Sequence, residues 1–194
     1  MNILHLDAST LGEQSVSRQL SADIVAQLRD QNPDAIVHYR DLVADPLPHW
    51  TPSTGISREP GQMGRELLDE FLSADIVVMG VPMYNFGIPS QLKAWIDHIA
   101  VPGQVFRYTE KGPVGLAGGK QIVVASARGG IYSQGPAAAM DFQENYLRAF
   151  FGFIGIDDIR FVRAEGVAIS PEHRESALRQ ARQGLREQLL ARAA

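Results

Sequence analysis

The sequence predicts an α/β protein, a three-layer sandwich in which a five-stranded parallel sheet of order 2-1-3-4-5 carries helices on both faces. Two observations carry that expectation. Five short apolar runs recur along the chain, at 2–7, 35–40, 75–81, 121–126 and 159–164. Each is followed by a stretch in which apolar residues repeat every three or four positions, the period of a helix with one buried stripe. Strands alternating with helices pair in parallel through right-handed crossovers, and 2-1-3-4-5 is the simplest such order for five strands. The 194 residues, 45% of them hydrophobic, suffice for one core, so a single domain over 1–194 is expected.

The first strand is Asn2-Ile3-Leu4-His5-Leu6-Asp7, with no leader peptide expected before it. A small polar loop, Ala8 to Gln14, leads to a helix starting near Ser15 or Ser17, whose Val16, Leu20, Ile24 and Leu28 form one stripe. Asn32-Pro33-Asp34 stops that helix, and Ala35 to Arg40 is the second strand. Residues 41–62 are rich in proline, lack periodicity and are expected to serve as a lid or binding loop. A helix over 63–74 buries Leu67, Leu68, Phe71 and Leu72. The third strand, 75–81, runs into Pro82-Met83-Tyr84-Asn85-Phe86-Gly87-Ile88-Pro89, and a helix from Gln91 to Ala100 buries Leu92, Trp95, Ile96 and Ile99. Residues 101–118 read as a second excursion, rich in glycine and proline, with no strand assigned to it. The fourth strand, Gln121 to Ser126, ends in Ala127-Arg128-Gly129-Gly130 and is followed by a helix over about 137–151. Ile159 to Ala164 is the fifth strand, and Pro171 to about Arg192 the closing helix.

Composition removes several classes of function. The net charge is −4 and no basic block appears, which disfavours nucleic acid. The arginines between Arg174 and Arg192 are interleaved with Glu172, Glu175 and Glu187, as on a solvated helix face. The absence of cysteine excludes disulfides, a thiol nucleophile, iron–sulfur clusters and thiolate zinc sites. His5, His38, His49, His98 and His173 sit at no metal-ligand spacing, and no metal is expected. No apolar run reaches the roughly 18–20 residues of a membrane span, so a cytoplasmic protein without membrane attachment is expected. Gly118-Gly119-Lys120 is followed by Gln121 and precedes a strand, so it reads as a turn and not a P-loop; there is no Gly-x-Ser-x-Gly elbow either.

The loops after strands one, three and four open on one edge in that strand order, where ligands of open α/β sheets bind. The first supplies the hydroxyls of Ser9, Thr10, Ser15 and Ser17 and the free N–H groups of a helix N-terminus, which hold a phosphate without a lysine. A helix cap is the plainer role for Ser15 or Ser17 alone. The second presents two rings, Tyr84 and Phe86, around the amide of Asn85, groups that suit a flat heteroaromatic ligand such as a flavin; ordinary core aromatics are the alternative. In the third, paired glycines let backbone approach a ligand, or form a plain turn.

These loops resemble those of the FMN-dependent NAD(P)H azoreductases and quinone reductases of the flavodoxin-like fold. The likeness runs nearly end to end. It includes Ser9 with Ser15-Val16-Ser17, Arg40-Asp41-Leu42, PMYNFGIP with Gln91-Leu92-Lys93, and FRYTE at 106–110. Arg128-Gly129-Gly130, Gly152-Phe153-Ile154-Gly155 and Ala164-Glu165-Gly166 complete it. The resemblance implies that Ser9, Ser15, Val16 and Ser17 bind the FMN phosphate and that Met83, Tyr84, Asn85 and Phe86 bracket the isoalloxazine. It places Ser126, Ala127, Arg128, Gly129 and Gly130 on the pyrimidine side. It also implies a homodimer with the flavin site at the interface and Tyr108 and Phe153 as walls of the substrate pocket. Three departures stand out. Asp7-Ala8 ends strand one where relatives often carry a basic or serine residue, which puts a carboxylate near the phosphate; Ala127 replaces a common serine; and 43–62 is individual.

The expected activity is a two-step one: NADH or NADPH reduces the flavin, leaves, and a quinone or aromatic azo compound is reduced in its place. The cofactor carries the bond chemistry, so no catalytic side chain is required. Arg58 and Arg65 are candidates to meet a 2′-phosphate of the donor. The rival readings are a flavodoxin-like electron carrier or FMN-binding regulatory module, disfavoured by the modest charge of −4, and a nucleotide-binding protein without flavin.

Overall fold

The structure is a computed structural model that describes residues 1–51 and 61–190, without the side chains of 186–190. Five strands form a parallel sheet: β1 (Asn2–Asp7), β2 (Ile36–Asp41), β3 (Ile76–Pro82), β6 (Gln121–Ala127) and β7 (Asp158–Ala164). Their order is β2-β1-β3-β6-β7, the 2-1-3-4-5 arrangement expected from the sequence. The other two strands, β4 (Phe106–Thr109) and β5 (Gly112–Gly115), make a separate antiparallel hairpin. The helices are α1 (Val16–Gln31), α2 (Gln62–Ser73), α3 (Ser90–Ile99), α4 (Glu144–Phe153) and α5 (Pro171–Leu190).

Every residue of β3 and β6 is buried, as befits central parallel strands covered on both faces. Alternate residues serve opposite layers. Leu4, Leu6, Val77, Met79, Ile122 and Val124 pack with α2, α3 and α4, where Phe71 meets Trp95 edge-on at 5.7 Å. Ile3, Ile76, Val78, Val123 and Ala125 pack with the stripes of α1 and α5. Fully burying one such aliphatic or aromatic side chain stabilises by about 1.5–3 kcal/mol, which is why these two stripes set the three-layer architecture.

Two expectations need correction. The excursion 101–118, to which the sequence assigns no strand, contains a hairpin. Phe106-Arg107-Tyr108-Thr109 pairs with 112–115, and the Thr109 hydroxyl closes the turn by donating to Gly112 O at 2.7 Å. The hairpin sits directly on the start of the segment after α4: a Cβ on Gly115 would lie 2.2 Å from Gly155 N, so only glycine permits the approach. The helix expected over 137–151 begins at Glu144. Residues Pro136–Met140 form a 3₁₀ turn, and the Asp141 carboxylate accepts from the N–H groups of Gln143 and Glu144 at 3.1 and 2.9 Å, capping a new helix start. The alanines of 137–139 have helical propensity but no apolar stripe with which to extend it.

Candidate functional site

The order reversal of the sheet falls between β1 and β3, and β6 lies beside β3, so the loops leaving these three neighbours share one edge. Short ladder bonds carry the strands up to that edge: Ala8 N–H donates to Gly80 O at 3.1 Å, and Met83 N–H to Ala127 O at 2.8 Å. The three loops are also joined to one another.

The loop after β1 and the loop after β3 meet at the Tyr84 hydroxyl. It accepts a hydrogen bond from Thr10 N–H at 3.1 Å and lies 3.0 Å from Thr10 Oγ1 and 3.4 Å from Ser9 Oγ. Burial pushes this phenol up, but the bonds from Ser9 and Thr10, with Arg18 nearby, outweigh it and leave it below its ordinary value. Those donors therefore favour negative charge on the oxygen they surround. Beside them Ser9, Ser15 and Ser17 are buried, and the Ser15 and Ser17 hydroxyls are 3.1 Å apart. Ser15 also caps α1, accepting from Arg18 N–H at 3.3 Å, so the cap and the polar-loop readings both hold for it. Val16 and Ser17 open the helix, where main-chain N–H groups have no intrahelical partner and the helix dipole is positive.

Tyr84-Asn85-Phe86-Gly87 is a tight two-bond turn. Tyr84 N–H donates to Gly87 O and Gly87 N–H to Tyr84 O, both at 3.0 Å. Asn85 and Phe86 adopt φ of +48° and +69°, the left-handed pair that such a turn demands. Asparagine tolerates this conformation; phenylalanine does so at a cost of about 1–2 kcal/mol. The strain turns Asn85 and Phe86 out to solvent at the sheet edge, with Phe86 43% exposed. Phe86 meets Tyr132, in the loop after β6, edge-on at 6.1 Å, and its carbonyl accepts from Phe142 N–H at 3.1 Å. Tyr84 and Asn85 also wall a cleft of about 780 Å³, shared with Ile88, Lys93, Phe142 and Tyr146, within the range of small-molecule sites.

The loop after β6 is held from below. Arg128 is fully buried, its guanidinium 2.9 Å from Asp141, 3.1 Å from Glu165 and in contact with Glu144. Its Nε donates to Ser126 Oγ and Gln143 Oε1 at 3.1 and 3.0 Å. Arg128 thus offers the sheet edge its main chain while its side chain serves the interior, and the Ser126 hydroxyl is likewise engaged with Gln143. Glu165 accepts from the N–H groups of Tyr132 and Ser133 at 2.8 and 3.0 Å and from the Ser133 hydroxyl. Burial raises this carboxyl, and the Ser133, Tyr132 and Arg128 interactions together bring it below its usual range. Gly129 is exposed and Gly130 half-buried beside this strut.

The structure therefore gathers Ser9, Ser15, Val16, Ser17, Met83, Tyr84, Asn85, Phe86, Ala127, Gly129 and Gly130 at one edge. Tyr108 and Phe153 are brought to each other instead. Both rings flank Phe106, at 5.6 and 4.7 Å, on the exposed hairpin side. Asp7 lays its carboxylate against the first turns of α1, 3.8 Å from Arg18 Nη1. It is buried, bonded by Ser21 at 2.8 Å and Tyr39 at 3.1 Å, and burial raises its carboxyl despite His5, Ser21 and Arg18. Arg58, with residues 52–60 of the 43–62 segment, lies outside the described residues; Arg65 is on α2. No cluster of histidine and carboxylates suited to a metal occurs among the described residues, nor does any helix long and apolar enough to cross a membrane. Arg18 and Tyr132 enter the site only with the structure; Thr10 was one hydroxyl among four in the sequence, and Glu165 stood there only as part of Ala164-Glu165-Gly166.

The family of the flavodoxin-like fold matches residues 1–189. An FMN-dependent NADH:quinone oxidoreductase of Sinorhizobium fredii (strain NBRC 101917 / NGR234) is 54% identical to the chain, covering 96% of each. A protein of the same name from Xanthomonas oryzae pv. oryzae (strain KACC10331 / KXO85) is 56% identical, over 96% of this chain and 95% of its own length. Among solved structures, an azoreductase from Bacillus anthracis str. Sterne superposes with a TM-score of 0.84 at 30% identity, covering 95% of this chain and 96% of that one. An FMN-dependent NADH-azoreductase from Bacillus anthracis str. Ames Ancestor, in complex with FMN, gives 0.82 at 28% identity, covering 96% and 98%.

Proposed function

The chain belongs to the flavodoxin-like family that includes FMN-dependent NADH:quinone oxidoreductases and azoreductases, and on that premise we propose that it is itself such an enzyme, reducing quinones and aromatic azo compounds with electrons from NADH or NADPH. The observation that carries the reading is the convergence of Thr10 N–H and the Ser9 and Thr10 hydroxyls on one oxygen, where the β1 loop meets the strained turn after β3. A donor set that favours negative oxygen, next to exposed aromatic and amide groups, fits a flavin mononucleotide, with phosphate at one end and a flat ring at the other.

In this reading Ser9, Ser15 and Ser17, with the first N–H groups of α1 from Val16 on, hold the phosphate. Met83, Tyr84, Asn85 and Phe86 bracket one side of the ring, and the main chain from Ser126 through Ala127, Arg128 and Gly129 to Gly130 borders its polar edge. FMN when bound supplies the acceptance of a hydride from the nicotinamide and its passage to the acceptor. The protein's part is orientation and polarity. Asn85 and the amides of the glycine pair stabilise charge on the ring, and the turn's left-handed backbone keeps the Phe86 ring at the edge. No side chain of the chain is needed as a catalytic acid or base, because solvent can supply protons.

The functional unit is the single domain of 1–194 acting as a homodimer, with the flavin site at the interface and Tyr108 and Phe153 contributing to the acceptor pocket. Their exposure on the hairpin side suits a role completed by a second copy. We place the enzyme in the cytoplasm, where reduced nicotinamide is available. The test is direct. The purified chain should take up FMN in equal amount to protein, and steady-state rates with NADH or NADPH against a quinone panel and an azo dye should show parallel-line kinetics. A chain that stays colourless in excess FMN refutes the proposal.

A further inference from the structure

We propose that Arg18 is the positioning residue of the phosphate site, acting through the Ser9–Thr10 peptide and not by touching the phosphate. The inference rests on the FMN reading above. A guanidinium carries five N–H donors, and every one is spent. Nε and Nη2 both donate to Ser9 O, at 3.1 and 2.8 Å. Nη1 and Nη2 grip the two oxygens of Asp41 at 2.6 and 2.7 Å, and Nη1 also reaches the Tyr39 hydroxyl at 3.2 Å. None is left for a ligand.

The effect therefore runs through the carbonyl that Arg18 holds. In a planar trans peptide the C=O and N–H point to opposite sides. Fixing the Ser9 carbonyl on one side holds Ser9, a phosphate ligand in the FMN reading, in place and aims the Thr10 N–H out of the other, where it meets the Tyr84 hydroxyl. Two charge-assisted bonds on one carbonyl also polarise that amide, making its N–H a stronger donor. Asp41 supplies the counter-charge and is itself pinned by the N–H groups of Val43 and Ala44, at 2.9 and 3.2 Å. The clamp thus contributes geometry without adding net charge. A lysine here would keep a cation but not the planar fork.

The decisive comparison is between FMN and riboflavin, which share the ring and differ in the phosphate. Affinities of both for the apo-protein are measured by flavin fluorescence in the unaltered chain, Arg18→Met and Arg18→Lys, with circular dichroism to confirm folding. FMN affinity should fall roughly tenfold or more in both variants, the equivalent of one lost hydrogen bond to a charged group, while riboflavin affinity changes less than about twofold. Proportional weakening of both flavins overturns the proposal, as does FMN binding unchanged in Arg18→Met. So does full recovery of FMN affinity in Arg18→Lys, since bare charge would then suffice. Should Arg18→Met not fold, Arg18→Lys, which keeps a cation beside Asp7 and Asp41, decides the matter by the same ratio. An unaltered chain that binds neither flavin refutes the FMN reading itself, a different result from a variant that keeps the unaltered ratio.

Discussion

Replacing Gly80 by alanine tests how the centre of the sheet supports the serine loop. Gly80 lies on β3, paired with Asp7 of β1 and facing the first turns of α1. A Cβ there would sit 2.2 Å from Asp7 Oδ1, 3.0 Å from Ser21 Oγ and 3.1 Å from Ser17 O. Ser21 can rotate. The carboxylate cannot retreat freely, because Ser21 donates to one of its oxygens and Tyr39 to the other. Accommodation means losing one of those bonds or pushing the start of α1 off the sheet. Overpacking of this kind costs about 1–3 kcal/mol, and a forfeited bond to a charged group about 1.5–3. We expect a total of roughly 2–4 kcal/mol for Gly80→Ala, since one relaxation relieves part of the other. At about 2–4 °C per kcal/mol for a chain of this size, melting should fall by roughly 5–15 °C, and FMN affinity should drop with it. Calorimetry on Gly80→Ala, Asp7→Ala and the double variant makes the cycle. With Asp7 truncated, the alanine at 80 should cost under about 1 kcal/mol. If Gly80→Ala melts with the unaltered chain, or costs the same with and without the Asp7 carboxylate, the steric argument is wrong.

Phe86→Gly should leave melting unchanged or raise it, because removing a left-handed phenylalanine returns about 1–2 kcal/mol, while quinone reduction falls as the ring is lost; a large fall in melting temperature would show that ring packing outweighs backbone strain. Glu165→Gln should cost about 1–3 kcal/mol in denaturant unfolding, because Arg128 keeps Asp141 and Glu144 but the Tyr132–Ser133 turn loses its charged acceptor, and the loop after β6 should become cleavable by protease. The Asp41 carboxyl is held down to about 2 from 3.8, chiefly by its bond from Arg18. A depressed carboxylate adds stability above its unfolded value and loses it as pH falls through the folded one. Unfolding free energy should thus decline between about pH 4 and pH 2, with the Asp41→Asn variant lacking that part of the decline; parallel acid limbs would refute the assignment.

Much of this site was legible before any coordinates. The run 75–81 reads as a strand feeding a short loop and then a helix, which puts that loop at the carboxyl end of a strand, where ligands of open sheets bind. Tyr84, Asn85 and Phe86 were found for that reason. The roles of Ser126 and Arg128 were less legible, since sequence places both next to the glycine pair but cannot tell which way a strand-end side chain turns. Arg128 turns inward because three carboxylates from two other segments wait there. The hairpin over 106–115 escaped notice because its strands are four residues each, too short for alternation to register.

The sequence by itself determined the order of the five sheet strands, the helix following each and the three loops at the edge, because these follow from periodicity and from the handedness of crossovers. Only the tertiary structure decided what those loops do to one another. That Tyr84 closes the serine loop, that Phe86 stands in a left-handed turn against Tyr132, and that Arg18 grips both Ser9 and Asp41 all join residues far apart in the chain or set by a single dihedral. The physical reason is range. Burial patterns repeat along the chain and can be read one residue at a time, whereas a hydrogen bond needs two groups within about 3 Å, and the distance between distant segments exists only once the sheet has brought their ends together.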